Sequence, residues 1–234
     1  MTLRFITPLA IVALLAGCSI PTAPVAVSMG DHSAGSSTAA IIPTGKQVSV
    51  GVLYSATTDT NRAYLRHYQA NAGTGFGQSL LVQSIHDAYV ATSNPDLAVD
   101  RVTTSLQRYF GAVTVYPDMP SLKAAKPDVM VVVDARSQLM TSRSSDIEST
   151  VSTLFYDHHF NYIATATGHA AKTLPPIWAG NKRSEEMVTE ITEQQQVQLM
   201  ALYRAVAGVH GAINTASPFS CHTYCANRPA PRRL

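Results

Sequence analysis

Alternation is the first pattern the chain shows. Over residues 47–54 the apolar positions Val48, Val50 and Val52 fall on every second residue, which predicts a strand with those valines on one face. Residues 56–76 have no such period. They are polar and irregular, and they predict an exposed loop with a helical turn near Arg62–Tyr68. From Gly77 to Thr92, Leu81, Ile85 and Ala88 stand at helical spacing. A clearer helix follows. Asn94 suits its N-cap and Pro95 its first turn. Val99, Val102, Leu106 and Tyr109 form one apolar face, and Gly111 marks the end.

The second half reads differently. Residues 112–116 predict a strand, and 118–126 a short helical connection closed by Pro127. Val129–Val133 is an unbroken apolar run, which suits a strand covered on both faces. From Ser149 to Lys172 the period is two. Val151, Thr153 and Phe155 alternate with Ser152, Leu154 and Tyr156; beyond the break, Tyr162, Ala164 and Ala166 alternate with Ile163, Thr165 and Thr167. Two strands joined across Asp157–Asn161 follow from this. Ser184 starts a long helix running to Ala212. Glu185 and Glu186 suit its positive end, and Val188, Ile191, Leu199, Leu202, Tyr203 and Val206 predict its buried face. The expected fold is α/β (α+β). A mixed sheet built from β-α-β-α-β plus a β-hairpin is packed by helices that include the long C-terminal one.

The N-terminal pattern belongs to another class. Arg4 precedes a mostly apolar run over Phe5–Ala16, which is short for a membrane span and suited to a signal segment. It closes in Leu15-Ala16-Gly17-Cys18. This resembles a bacterial lipobox. The resemblance implies cleavage between Gly17 and Cys18 and lipidation of Cys18, where two or more acyl chains give stable anchoring. Ser19 follows the cysteine where Asp would favour inner-membrane retention, so the resemblance implies the outer membrane. Residues 18–46 are small, polar and broken by Pro and Gly, as a tether would be. The expected organisation is 1–17 signal peptide, 18–46 lipidated Cys and tether, 47–213 periplasmic domain and 214–234 Pro/Arg-rich tail.

Composition narrows the function classes. A net charge of +2 with 14% charged residues creates no strong field for polyanions, so no nucleic-acid partner is expected. Cys221 and Cys225 lie four residues apart. In an oxidising compartment they can close a small disulfide loop, stay free, or join a metal site that would need further ligands. Arg228, Arg232 and Arg233 can meet anionic head groups or remain a solvated end.

Candidate chemistry centres on Asp157-His158-His159. Those letters resemble the signature of the DHH phosphoesterases, which also require a D-x-D pair that this chain lacks. Asp and Asn at the two ends of the segment are favoured turn residues, so a hairpin tip is expected over a metal site. The metal alternative would recruit Asp134, at the end of the valine strand. Gly73, Gly75 and Gly77 miss dinucleotide-loop spacing by one residue and follow no adjacent strand. His67, His86, His169, His210 and His222 are scattered and predict exposed or structural roles. No cofactor and no catalytic residue are expected.

The lipobox, the tether, the element order and the hairpin form Tyr156-Asp157…Asn161-Tyr162-Ile163-Ala164…Ala166…Gly168 resemble the YajG, LpoB, CsgG and PelC type of periplasmic α/β lipoproteins. The resemblance covers residues 47–213. It implies a non-catalytic scaffold or accessory subunit of a cell-envelope assembly, with envelope proteins as partners and a homo-oligomer in reach. Two other readings stand beside it: a metal-dependent envelope hydrolase using Asp157, His158 and His159, and a passive binder of peptidoglycan or another ligand.

Overall fold

The computed structural model describes residues 42–70, 83–140, 144–175 and 183–215. The expected lipobox with Gly17 and Cys18, the glycines at 73, 75 and 77, and Cys221, His222 and Cys225 lie outside them.

Among the described residues, five strands form one mixed sheet in the order β2-β1-β3-β4-β5. β1 (Gly45–Tyr54) lies parallel to both β2 (Phe110–Val115) and β3 (Val129–Gln138). β4 (Asp146–Asp157) and β5 (Tyr162–Thr173) continue antiparallel. The helices are α1 (Ala56–Ala70), α2 (Gln83–Ala91), α3 (Leu97–Leu106), α4 (Met119–Ala125) and α5 (Ser184–Thr215). The α/β class and the hairpin are as the pattern predicts.

One face carries the core. Val50, Val52, Val129, Val131 and Val133 pack with Val102 and Leu106 of α3 and Leu202, Ala205 and Val209 of α5. Gly51 turns to the other face, where a Cβ would stand 2.3 Å from Leu122 of α4. The long valine run is therefore covered on both faces only where α4 lies. Beyond it, β3 alternates buried and half-buried positions from Val133 to Gln138.

Several expectations are corrected. β1 starts at Gly45 and Ile42 is buried in the core, so the folded region includes residues before the expected start at 47. Asp96, rather than Asn94, precedes α3, and the Asn94 side chain accepts the Asp96 N–H at 3.0 Å. Gly111 does not end a helix. It lies in β2, where a Cβ would meet the Lys46 carbonyl at 1.7 Å, so glycine is needed for strand approach. A bulge between Phe155 and Tyr156 shifts the hairpin register, leaving Ile163 buried and Tyr162 exposed.

Two helices depart furthest from the pattern. Residues 56–70 form a full helix rather than a loop. On α5, the expected buried residues Leu199 and Tyr203 are exposed, at 40% and 72%. Ala201, Ala205 and Val209 face inward instead. The reason is Gly168, where a Cβ would stand 1.9 Å from the Ala201 carbonyl oxygen. So close a helix-to-strand approach admits only the small Ala201 and Ala205 at the crossing, while Leu202 and Val209 pack beside it and Leu199 and Tyr203 turn outward.

Candidate functional site

β1 stops at Tyr54 while β3 continues to Gln138, so the β1-side edge of β3 is left without a strand partner. Unpaired buried N–H groups are costly, and α1 supplies the partners. Ser55 caps the helix, its hydroxyl accepting the Thr58 N–H at 3.0 Å and donating to the Asp134 carboxylate. Thr58 Oγ1 accepts the Ala135 N–H at 2.8 Å and donates to the Val133 carbonyl at 2.9 Å. Asn61 Oδ1 accepts the Ser137 N–H at 2.8 Å, and Tyr64 Oη accepts the Leu139 N–H at 3.1 Å. Tyr68 donates to the Met140 carbonyl at 2.9 Å, and Gln194 of α5 accepts the Met140 N–H at 3.1 Å.

The helix thus stands in for a sixth strand. Outward N–H groups recur about every 6.6 Å along a strand, whereas successive helix positions three apart advance about 4.5 Å. The lengthening reach from Thr58 to Asn61 to Tyr64 takes up the difference. Tyr64, Tyr68 and Tyr89 cluster beside this seam, with ring centres 6.3 and 5.8 Å apart. Burial raises all three phenols: Tyr89 to about 12, and Tyr68 well above the ordinary value. A cavity of about 20 Å³ lies against Thr58, Asn61, Ser137, Ser149 and Gln198, room for one water.

At the carboxyl ends of β1 and β2, where open α/β sheets gather ligands, Tyr54, Asp59, Arg62, Val115, Tyr116 and Pro117 line an open groove of about 340 Å³. Among the described residues that line it, the one cation is already engaged. Arg62 pairs with Asp96 at 2.5 Å and lies over the Tyr54 ring at 5.6 Å.

The Asp157–Asn161 segment is a hairpin tip. One Asp157 carboxylate oxygen accepts the N–H groups of His159 and Asn161 at 2.8 and 2.9 Å, and the other accepts the Asn161 side-chain amide at 2.9 Å. The Asn161 side-chain bond foremost, with these backbone bonds, holds the Asp157 carboxyl below the usual range. His158 and His159 are exposed with ring centres 3.8 Å apart. Phe160 takes φ +68° beneath Lys123, whose ammonium lies 4.9 Å from the ring centre. Asp134 is not brought to this tip. It pairs with Ser152, whereas Asp157 pairs with Val129, five residues or about 17 Å along β3.

Three other described histidines make local contacts. His86 meets Asp87 at 3.3 Å, His169 lies 3.9 Å from Glu148, and His210 contacts Tyr109 and Asn214. His67 is exposed near the end of α1. Among the described residues, no three His, Cys, Asp or Glu converge as metal ligands, and no helix is long and apolar enough to cross a membrane. The chain matches no family model, no curated protein and no solved structure.

A feature that sequence reasoning missed is the outer edge of the sheet. β5 is a terminal strand of 12 residues. The Leu174 N–H bonds the Ser145 carbonyl at 3.0 Å, which sets the phase of the β4–β5 ladder. Even-numbered residues 164–172 bond β4, and odd-numbered residues 165–173 turn their N–H and C=O groups outward. In agreement, the His169 carbonyl is reached from the outside by Arg204 of α5. The long period-two run was the available signal, but it does not say which strand ends the sheet.

Proposed function

We propose that the chain is an outer-membrane lipoprotein facing the periplasm. Lipid on Cys18 holds it, and it works without catalysis as a scaffold or accessory subunit of a cell-envelope assembly. The observation that supports a binding role is where the polar side chains go. Ser55, Thr58, Asn61 and Tyr64 are spent on the backbone of β3 or on the cap of α1, and Asp157 on its own turn. Among the groups left outward are a strand edge with few ionisable residues and the apolar side chains of Leu199, Met200 and Tyr203 on α5. Groups of that kind bind protein surfaces rather than polarise bonds.

Cell fractionation with in-cell crosslinking tests this reading. The native chain is expected in the outer-membrane fraction, linked to envelope proteins, and Cys18→Ala is expected to leave that fraction. A native chain that is soluble, or that links to no envelope protein, contradicts the proposal.

A further inference from the structure

We infer that the β5 edge and the outward face of α5 form one surface that binds a second copy of this chain. The inference names a partner and needs no lipid anchor, so it stands or falls apart from the reading above.

Two observations meet at this place. The first is the edge itself, with outward backbone groups on Thr165, Thr167, His169, Ala171 and Thr173. Among the described residues only the His169 carbonyl has an outward partner, the Arg204 guanidinium. Apart from the Arg204 guanidinium on the His169 carbonyl, few charges stand along the edge. Lys172 is tied to Glu193 at 2.6 Å, and His169 is the other ionisable group between residues 165 and 173. Natural edges of this length are usually guarded by charge, proline or cover. The second observation is the apolar strip of Leu199, Met200 and Tyr203, exposed at 40, 49 and 72%. Met200 stands one turn before Arg204, so the strip runs beside the edge on the face that α5 covers.

A second copy answers both features. An antiparallel edge pairs with itself about a two-fold axis normal to the sheet. Such an axis keeps both α5 helices on the same side and brings the two strips toward each other. A lone peptide strand would satisfy the edge and leave the strip in water. The edge is about 27 Å long, and sheet plus helix are about 15–20 Å thick. The footprint is on the order of 500 Å² per copy, near the low end for a specific contact. Association is therefore expected to depend on concentration, with Arg204 released from His169 as the local rearrangement that pairing requires.

The test places a photo-reactive phenylalanine at Tyr203 of the full chain in the cells that produce it. The expected product has twice the mass of the chain, with the link joining residue 203 of one copy to residues 199–207 of another. Met200→Glu, a solvent-facing change, is expected to cut the yield at least tenfold. Thr167→Pro removes an outward N–H while residues 166 and 168 keep the inner ladder, and it is expected to do the same. Circular dichroism of each variant checks that the fold is kept. Links to a different protein, no link, or a yield that a folded Met200→Glu protein leaves unchanged would overturn the inference.

Discussion

α1 and α5 flank the same sheet and turn opposite materials toward it. α1 presents Thr58, Asn61 and Tyr64, bonded to the backbone N–H groups of Ala135 and Ser137 in β3 and of Leu139 just past its end. α5 presents Ala201 and Ala205 to a glycine of β5, and leaves Met200 and Tyr203 in solvent. The difference comes from what each helix meets. α1 meets the edge of a strand, whose orphan donors need acceptors. α5 meets the flat of a sheet at close range, where space is the limit. A helix's inner face is therefore set by the needs of the backbone opposite, and hydrophobicity is only one such need.

The largest expected effect lies on the close-packed side. In Gly168→Val the new Cβ meets the Ala201 carbonyl and the Ala205 amide, so α5 must lift away. Chemical denaturation is expected to show a loss of about 3 kcal/mol, the upper part of the range for overpacking. A loss under about 1 kcal/mol would mean that the approach is not tight.

On the polar side, Thr58→Val keeps the shape but removes the acceptor for Ala135 and the donor to Val133. Asn61→Leu strands the Ser137 N–H. Each is expected to cost about 1–3 kcal/mol, the range for an unsatisfied buried group. Tyr203→Ala on the outward face of α5 is expected to change monomer stability by less than about 0.5 kcal/mol. Equal losses at all three positions would erase the comparison.

A smaller effect concerns pH. The folded-state phenols of Tyr64, Tyr68 and Tyr89 are raised by burial, Tyr89 to about 12. Their contribution is thus fully present below the unfolded value of about 10 and is lost as pH rises from there toward 12. Ultraviolet titration is expected to show a late tyrosine class that merges with the early one in Asn61→Leu, where the seam is loosened.

Much of this architecture was legible in the chain. The valine run of β3 and the alternation of β4 and β5 are strong because one face of each meets a continuous apolar layer. α1 was illegible as a helix because its inner positions are threonine, asparagine and tyrosine, which read as loop when apolar spacing is the signal. The inner face of α5 was misread because Leu199 and Tyr203 outweigh Ala201 and Ala205 in any hydrophobic pattern, while Gly168, which decides the matter, lies on another element. At the hairpin tip the turn chemistry of Asp157 and Asn161 was readable, since it is local. The outward edge of β5 was not, because strand order is a property of the assembled sheet.

Amide hydrogen exchange of β5, followed as protein concentration is raised, tests the association surface most directly. The outward amides of Thr165, Thr167, His169, Ala171 and Thr173 are expected to exchange fast when dilute. They should become protected together as copies pair, while the inner amides of 164–172 stay slow throughout. Outward amides that exchange fast at every concentration would contradict the account.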